Sequence, residues 1–166
     1  MLTTDAKLWD LFDDSKKRDL TRTPLYAEVP KDLDENLAYR AYVLEEIVSD
    51  PEAARDYWIA GKRDILWWIN TFVWTYDPRL ADAGELSSVP FITYPFQDDA
   101  FLQIQDSIGK RDLEVEKSRD QGASWMFLTA YDWYFWYGDM LDFLMISRNK
   151  EYVDSTGFKK SLFWKI

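Results

Sequence analysis

The stretch that decides the fold covers residues 113–146 and reads LEVEKSRDQGASWMFLTAYDWYFWYGDMLDFLMI. It opens with a short alternating segment, 113–116, which is typical of a strand. Residues 124–137 are apolar on nearly every face, as in a helix buried against a sheet, and a Gly-Asp pair ends them. The apolar run 141–146 predicts a second, buried strand. Strand, loop, helix and strand in this order predict a βαβ unit, and therefore the start of a parallel sheet.

The region before this unit, residues 1–87, is predicted to be helical. Ser49-Asp50-Pro51-Glu52 is typical of a helix start, because proline fits the first turn and acidic groups favour the positive end of the helix dipole. The residues from Ala53 to Trp74 predict one long helix, or two that meet near Gly61. The expected architecture is thus α/β, with a helical region over 1–87 and the first, incomplete part of a parallel-sheet domain over 88–166.

Composition restricts the classes of function. The hydrophobic fraction is 47% and the aromatic fraction 17%, which predict a folded chain and exclude intrinsic disorder. A formal net charge of −10 disfavours broad electrostatic binding to DNA or to an anionic membrane. The sequence contains no cysteine and no histidine, which excludes thiol nucleophiles, disulfides and imidazole-dependent triads, whereas oxygen ligands still permit Mg²⁺.

Targeting signals are not evident in the sequence. The first residues lack the basic and apolar regions of a signal peptide. The most apolar run, 123–137, is too short to span a bilayer comfortably. A cytoplasmic protein that does not contact membranes is therefore expected.

Aromatic residues are concentrated between Trp58 and Trp74. We interpret them as core residues, since amphipathic helices of a small domain bury large rings. The alternative is a glycan-binding platform, but the sequence does not pair these rings with the polar groups that a sugar needs.

The loop after the first predicted strand resembles the phosphate-binding pattern G-x-x-x-x-G-K-[ST] in part. Gly122 and Ser124 are in register, while Lys117 replaces the first glycine and Ala123 replaces the lysine. The chemistry remains coherent, because a helix N-terminus offers amides to phosphate and Ser124 could place a hydroxyl on Mg²⁺. Lys117 or Arg119 could supply the cation that Ala123 lacks. The alternative is a plain turn with solvated charges.

A second candidate segment lies upstream, at Tyr94-Pro95-Phe96-Gln97. The amide of Gln97 can both donate to and accept from the edge of adenine, and either ring could stack on the base. Gln97 lies twenty residues before Lys117 in the sequence, a spacing that suits such a segment. The alternative is a loop with a packed ring.

Four strings in order resemble those of phage terminase large subunits, the ATP-driven motors that package viral DNA into procapsids. They are YPFQ (94–97), KSRDQGASW (117–125), ISRNKEYVD (146–154) and KSLFWKI (160–166). The second resembles the deviant Walker A segment of these motors, in which the basic residue stands at the start of the loop. The resemblance implies a P-loop NTPase fold with ATP and Mg²⁺ as ligands. It also implies, as partners, the remainder of the large subunit, the small terminase subunit, the portal and viral DNA.

The resemblance also implies roles for individual residues. Gln97 would read adenine, Lys117 would contact the β- and γ-phosphates, and Ser124 would help to hold Mg²⁺. Arg119 matches an arginine proposed to act on the γ-phosphate, which makes it the candidate catalytic residue. The rest of the ATP-binding loop would be formed by Ser118, Gly122 and Ala123.

Several parts of the family's machinery have no counterpart in the sequence. An apolar strand ending in Asp-Glu, the coupling motif and the nuclease domain are missing, which leaves enzymatic activity of this chain undecided. We expect the front part of such a motor, as a shortened gene product or the first of two split pieces. The alternatives are an inactive remnant or a small helical interaction module of phage or prophage origin, and, third, an unrelated glycosidase using paired carboxylates.

Overall fold

The structure is a computed structural model that describes residues 23–118, 121–158 and 161–165. Helices dominate these residues, and one small antiparallel sheet accompanies them. The helices are α1 (Leu33–Ser49), α2 (Pro51–Arg63), α3 (Ile65–Phe72), α4 (Pro78–Asp82), α5 (Pro95–Ser107), α6 (Ala123–Tyr137) and α7 (Lys150–Val153). The strands are β1 (Trp74–Tyr76) and β2 (Ser88–Pro90), and short 3-10 turns cover Tyr26–Glu28 and Phe163–Lys165.

Aspartate side chains start the helices of the N-terminal region. The carboxylate of Asp50 accepts a hydrogen bond from the amide of Glu52 at 2.9 Å, and Pro51 occupies the first turn of α2. The helix start predicted at this point is confirmed. Asp64 caps α3 through the amide of Trp67, also at 2.9 Å. Since Asp64 ends α2 and begins α3, the predicted helical stretch is divided into two helices, and the division lies three residues after Gly61.

The sheet is a short hairpin that the sequence did not predict. Trp74 pairs with Pro90 and Tyr76 with Ser88, in antiparallel register. The amide of Phe91 then donates to the carbonyl of Val73 at 2.9 Å, which extends the contact by one residue. The hairpin joins the end of α3 to the segment that leads into α5.

The central helix of the predicted βαβ unit is confirmed, whereas its two strands are not formed. The helix is α6, Ala123–Tyr137. Residues 113–116 and 141–146 are irregular, and Leu144 and Ile146 are 83% and 80% exposed. A strand requires hydrogen bonds to a neighbour, and no described segment lies beside either run as a partner. The described residues do not form a parallel sheet, and their fold is helical with a two-stranded antiparallel sheet.

One hydrophobic core connects the two regions that the sequence suggested. Both sides of position 87 contribute to it, and α6 packs on α5 and on α3. Its fully buried members include Ile65, Leu66, Ile69, Phe101 and Ala130. Trp67 and Trp68 are also buried and Phe72 packs against this core, which confirms their interpretation as core residues. The interpretation is wrong for Trp58 and Trp74, which are 48% and 44% exposed. Within the described ranges, no helix is both long and apolar enough to cross a bilayer.

Candidate functional site

A cleft of about 1020 Å³ lies between the hairpin, the start of α5 and the start of α6. Its size is at the upper end of the range for small-molecule sites. The aromatic segment 94–97 lines one part of the wall, and Lys117 together with residues 121–125 lines another. Two stretches that the sequence singled out separately thus meet on one surface.

The loop enters α6 through a glycine in the left-handed conformation. Gly122 has φ of 76° and ψ of 12°, a region that side-chain-bearing residues rarely adopt. No side chain among the described residues caps this helix, and its first backbone hydrogen bond runs from the Met126 amide to the Gly122 carbonyl at 3.0 Å. The amides of the first turn therefore face the cleft end of the helix without a side-chain acceptor, where an anion is favoured.

Gln97 connects the aromatic segment to this loop. Its side chain is 5% exposed. The amide oxygen accepts a hydrogen bond from the backbone of Tyr94 at 3.0 Å, and Nε2 donates to the carbonyl of Gln121 at 3.3 Å. A base bound here would therefore use the second hydrogen of Nε2 and the second lone pair of the oxygen. The sequence and the resemblance predicted that Gln97 reads adenine, and did not predict these two internal contacts.

An aromatic surface stands beside Gln97. The rings of Tyr94 and Phe96 stack with centroids 5.8 Å apart and planes 9° apart. Tyr94 is 47% exposed and lines the cleft. A flat, partly exposed ring next to an amide is an arrangement that can hold a nucleobase by stacking and hydrogen bonding.

Three cations of the described chain line the cleft: Arg79, Lys117 and Lys165. Arg79 is neutralised locally by Asp77, with Nη2 and Oδ2 2.8 Å apart. Its hydrogen bonds also hold the pKa of the Asp77 carboxyl below its ordinary value. Neither lysine forms an ion pair with any residue in the described ranges. The lysines therefore supply the uncompensated positive charge of the cleft.

The remaining predicted loop residues divide into three groups. Ala123 is half-buried, Ser124 is exposed, and both line the cleft. Ser118 is exposed and does not line it. Arg119, the candidate catalytic residue, lies outside the described residues. The structure thus brings Gln97, Lys117 and residues 122–124 together, and Ser118 is separated from them.

The cleft offers little to a metal ion by itself. No group of three or more acidic residues that could hold a metal occurs in the described part of the chain. The oxygen donors on its wall include the hydroxyl of Ser124 and the carboxylate of Asp77. Because Mg²⁺ in nucleotide sites is held largely by phosphate oxygens and water, the donors present fit an ion that arrives with a nucleotide.

A buried polar network fixes the backbone just before the aromatic segment. The amide of Thr93 donates to Oδ1 of Asn70 at 2.9 Å, and its hydroxyl donates to Oδ1 of Asp98. The hydroxyl of Tyr26 donates to the other oxygen of Asp98. Asn70 and Asp98 are fully buried. Since Thr93 is anchored on both sides, the adjacent Tyr94 is held in a defined position at the cleft.

Lys165, Arg79 and Trp125 also line the cleft, although the sequence did not single them out for it. Lys165 belongs to the string KSLFWKI, which is part of the resemblance. The resemblance did not indicate that Lys165 lines the same cleft as the loop. Asp77 and Arg79 follow β1, a strand that was not predicted from the sequence. No local pattern could have identified these residues, because their proximity depends on long-range packing.

Gly122→Ala is expected to lower the free energy of unfolding by about 1–2 kcal/mol, because an L-residue is strained at this φ. An added Cβ would also lie 3.0 Å from Nε2 of Gln97, which disturbs the bond from Gln97 to Gln121. Urea denaturation measures the first effect, and the side-chain amide NMR signals of Gln97 report the second.

Gly109→Ala is the matched control for this substitution. Gly109 has φ of 73°, and no atom lies within 4 Å of its added Cβ. It should lose comparable stability and leave the Gln97 signals unchanged. Equal shifts of those signals in both variants would contradict the assigned contact.

Comparisons of the whole chain with protein-family profiles, with curated proteins and with solved structures found no match. The geometry of the cleft is therefore the basis for a functional assignment, together with the four strings described above.

Proposed function

We propose that this chain is a nucleotide-binding part of a phage DNA-packaging ATPase of the terminase large-subunit type, with ATP as its ligand. One observation carries the proposal. The adenine-type segment 94–97 lines the same cleft as Lys117 and residues 121–124, which belong to the phosphate-type loop. The exposed ring of Tyr94 suits the base of a nucleotide. The two lysines of the cleft, which form no ion pair within the described ranges, suit its phosphates.

Each group in the cleft has a distinct task in this proposal. Tyr94 stacks on the base, and Gln97 reads the adenine edge with its remaining donor and acceptor. The first amides of α6 and the ammonium of Lys117 bind the phosphates, while Gly122 allows the backbone to approach them closely. Ser124 offers its hydroxyl to Mg²⁺, which would neutralise phosphate charge when bound.

By resemblance, Arg119 acts on the γ-phosphate from within the loop. Turnover also needs a group that orients the attacking water, and the sequence lacks the Asp-Glu strand that provides it in this family. The isolated chain is accordingly expected to bind ATP weakly and to hydrolyse it no faster than background.

We further propose that residues 113–116 and 141–146 become strands when the rest of the motor's sheet is supplied. The exposure of Leu144 and Ile146 supports this, because apolar residues at such positions are normally covered by a neighbouring layer. The complete assembly would include the remainder of the large subunit, the small subunit, the portal and viral DNA, in the host cytoplasm.

A second candidate function is a protein-interaction module without nucleotide. It is favoured by a set of exposed apolar side chains near the end of α6 and beyond it: Phe135, Trp136, Met140, Leu144 and Ile146. Such a concentration often marks a contact surface for another protein. The two candidate functions are distinguished by whether a nucleotide binds in the cleft, which lies at the other end of α6.

The test is an NMR titration of the ¹⁵N-labelled 166-residue chain with Mg-ATP and, separately, with Mg-GTP. NMR is suited to weak binding and locates it. We expect ATP to shift the amides of residues 121–125 and the indole signal of Trp125, with a smaller response to GTP. Gln97→Ala should reduce the response to ATP and abolish the preference over GTP.

Gln103→Ala is the control, since Gln103 lies on the same helix and is exposed outside the cleft. It should leave both titrations unchanged. Urea denaturation of Gln97→Ala separates loss of base recognition from loss of fold. If neither nucleotide shifts the NMR signals of the cleft residues in the wild-type chain, the proposal is wrong and the interaction module is favoured.

A further inference from the structure

The segment 161–165 reaches the cleft at Lys165, and three contacts hold the segment in place. The amide of Leu162 donates to the carbonyl of Tyr152 at 2.9 Å. The ring of Trp164 packs edge-on against Tyr76, a residue of the cleft wall, at 5.2 Å between centroids. Lys165 then reaches the cleft itself, with Nζ 5.8 Å from the centroid of the Trp125 ring. These contacts place the ammonium group in the cleft, beside the ring of Trp125.

The environment of Lys165 suits an anionic ligand. Trp125 belongs to the first turn of α6, which has no side-chain cap among the described residues and lines the same cleft as Lys165. Burial lowers the pKa of Lys165, because the half-buried ammonium loses water. No carboxylate in the described ranges forms an ion pair with it. A phosphate group in the cleft would provide the missing counter-charge.

Lys165 also offers a positive charge of the kind that the loop lacks at Ala123. The usual phosphate-binding lysine precedes the Ser/Thr, where this chain has Ala123. Lys117 approaches from the start of the loop, and Lys165 comes from a segment 48 residues further along the chain. The two cations line the same cleft with Ser124. The lining of the cleft therefore carries two lysine charges.

We propose that Lys165 is a ligand-binding residue that contacts the polyphosphate of a nucleoside triphosphate from the side opposite to the loop lysine. This inference rests on the proposed function, since it assigns a further contact to the same cleft. In this arrangement the phosphates lie between the amides of α6, Lys117 and Lys165, and Trp125 supports the Lys165 side chain through its ring.

Lys165→Met is the variant that tests this contact, because methionine retains an apolar side chain over Trp125 and removes only the charge. Affinities for AMP, ATP and inorganic tripolyphosphate are measured by the same NMR titration. We expect roughly a tenfold loss of affinity for ATP and tripolyphosphate, the typical effect of removing one hydrogen bond to a charged group, and a smaller loss for AMP. Lys165→Arg should restore most of the ATP affinity.

Lys150→Met is the matched control, because Lys150 is exposed in α7 and does not line the cleft. If ATP binds and Lys117→Ala weakens it while Lys165→Met does not, the assignment of Lys165 is wrong and the proposed function stands. An equal loss for AMP and ATP in Lys165→Met would also contradict a polyphosphate contact. If neither ATP nor tripolyphosphate shifts the cleft signals of the wild-type chain, the proposed function fails together with this inference.

Discussion

Lys117→Ala is expected to lower the affinity of the chain for ATP by on the order of ten- to a hundredfold, which corresponds to one hydrogen bond to a charged group. Lys117 is exposed, lines the cleft and forms no ion pair within the described ranges, so alanine removes charge and leaves the packing intact. The free energy of unfolding should stay within about 0.5 kcal/mol of the wild type, as is usual for surface positions. The measurement is the ATP titration combined with urea denaturation.

The effect of this substitution should be larger on catalysis than on binding. In a complete packaging ATPase that carries this loop, a contact to the transferring phosphoryl strengthens as charge develops there. Loss of one such contact costs about 3–4 kcal/mol, or on the order of a hundred- to a thousandfold in rate. Arg119→Ala should act mainly on turnover, if it performs the role that the resemblance implies.

Lys110→Ala is the control for Lys117→Ala. Lys110 is exposed, belongs to the turn after α5 and does not line the cleft. Its substitution should affect neither binding nor rate. Identical behaviour of the two variants would show that the loop is only a turn and that Lys117 has no part in phosphate binding.

Asp98→Ala is expected to lower the free energy of unfolding by about 3–5 kcal/mol. The carboxylate is fully buried and accepts hydrogen bonds from the hydroxyls of Tyr26 and Thr93, and alanine would remove this shared acceptor from a buried polar network. Lys31 belongs to the same network, since its ammonium lies 4.2 Å from the centroid of the Tyr26 ring and 3.2 Å from Oγ1 of Thr93. Breaking a buried charged network is costly for the partners that remain.

Urea denaturation followed by tryptophan fluorescence measures this loss, with Asp99→Ala as control. Asp99 is the next residue of α5 and is only half-buried, so its substitution should cost less than about 1 kcal/mol. Asp98→Asn keeps acceptor oxygen and shape, and it should recover part of the difference. Equal stabilities of Asp98→Ala and Asp99→Ala would show that the network contributes little.

Local signals in the sequence predicted the parts of the fold that depend on local chemistry. Asp50 and Pro51 begin α2 as predicted, and the apolar run 123–137 forms α6. The strands predicted at 113–116 and 141–146 are not formed in the described chain, because strand formation depends on a neighbour, which the alternation of side chains cannot reveal. The hairpin was missed for the related reason that each strand has only three residues.

The candidate site could be predicted only in outline. The position of Gly122 before a helix and the pairing of the aromatic segment with the phosphate-type loop were both accessible from motif and resemblance. The bond that the Tyr94 amide donates to Gln97 is local and was missed, whereas the bond from Gln97 to the Gln121 carbonyl was not accessible, because Gln121 lies 24 residues away in the sequence. The same holds for Lys165, whose proximity to Trp125 depends on how the segment 161–165 reaches the cleft.

The shared core has a consequence for the order in which the molecule folds. The indole of Trp133 donates to the carbonyl of Gly61 across 72 residues, and the bond from Tyr26 to Asp98 has the same separation. Contacts of such length are formed only after the entropy of closing a long loop has been lost, which slows folding. During synthesis, α6 can cover the apolar faces of the N-terminal helices only after it has left the ribosome. The cleft therefore takes shape late, together with the core that supports it.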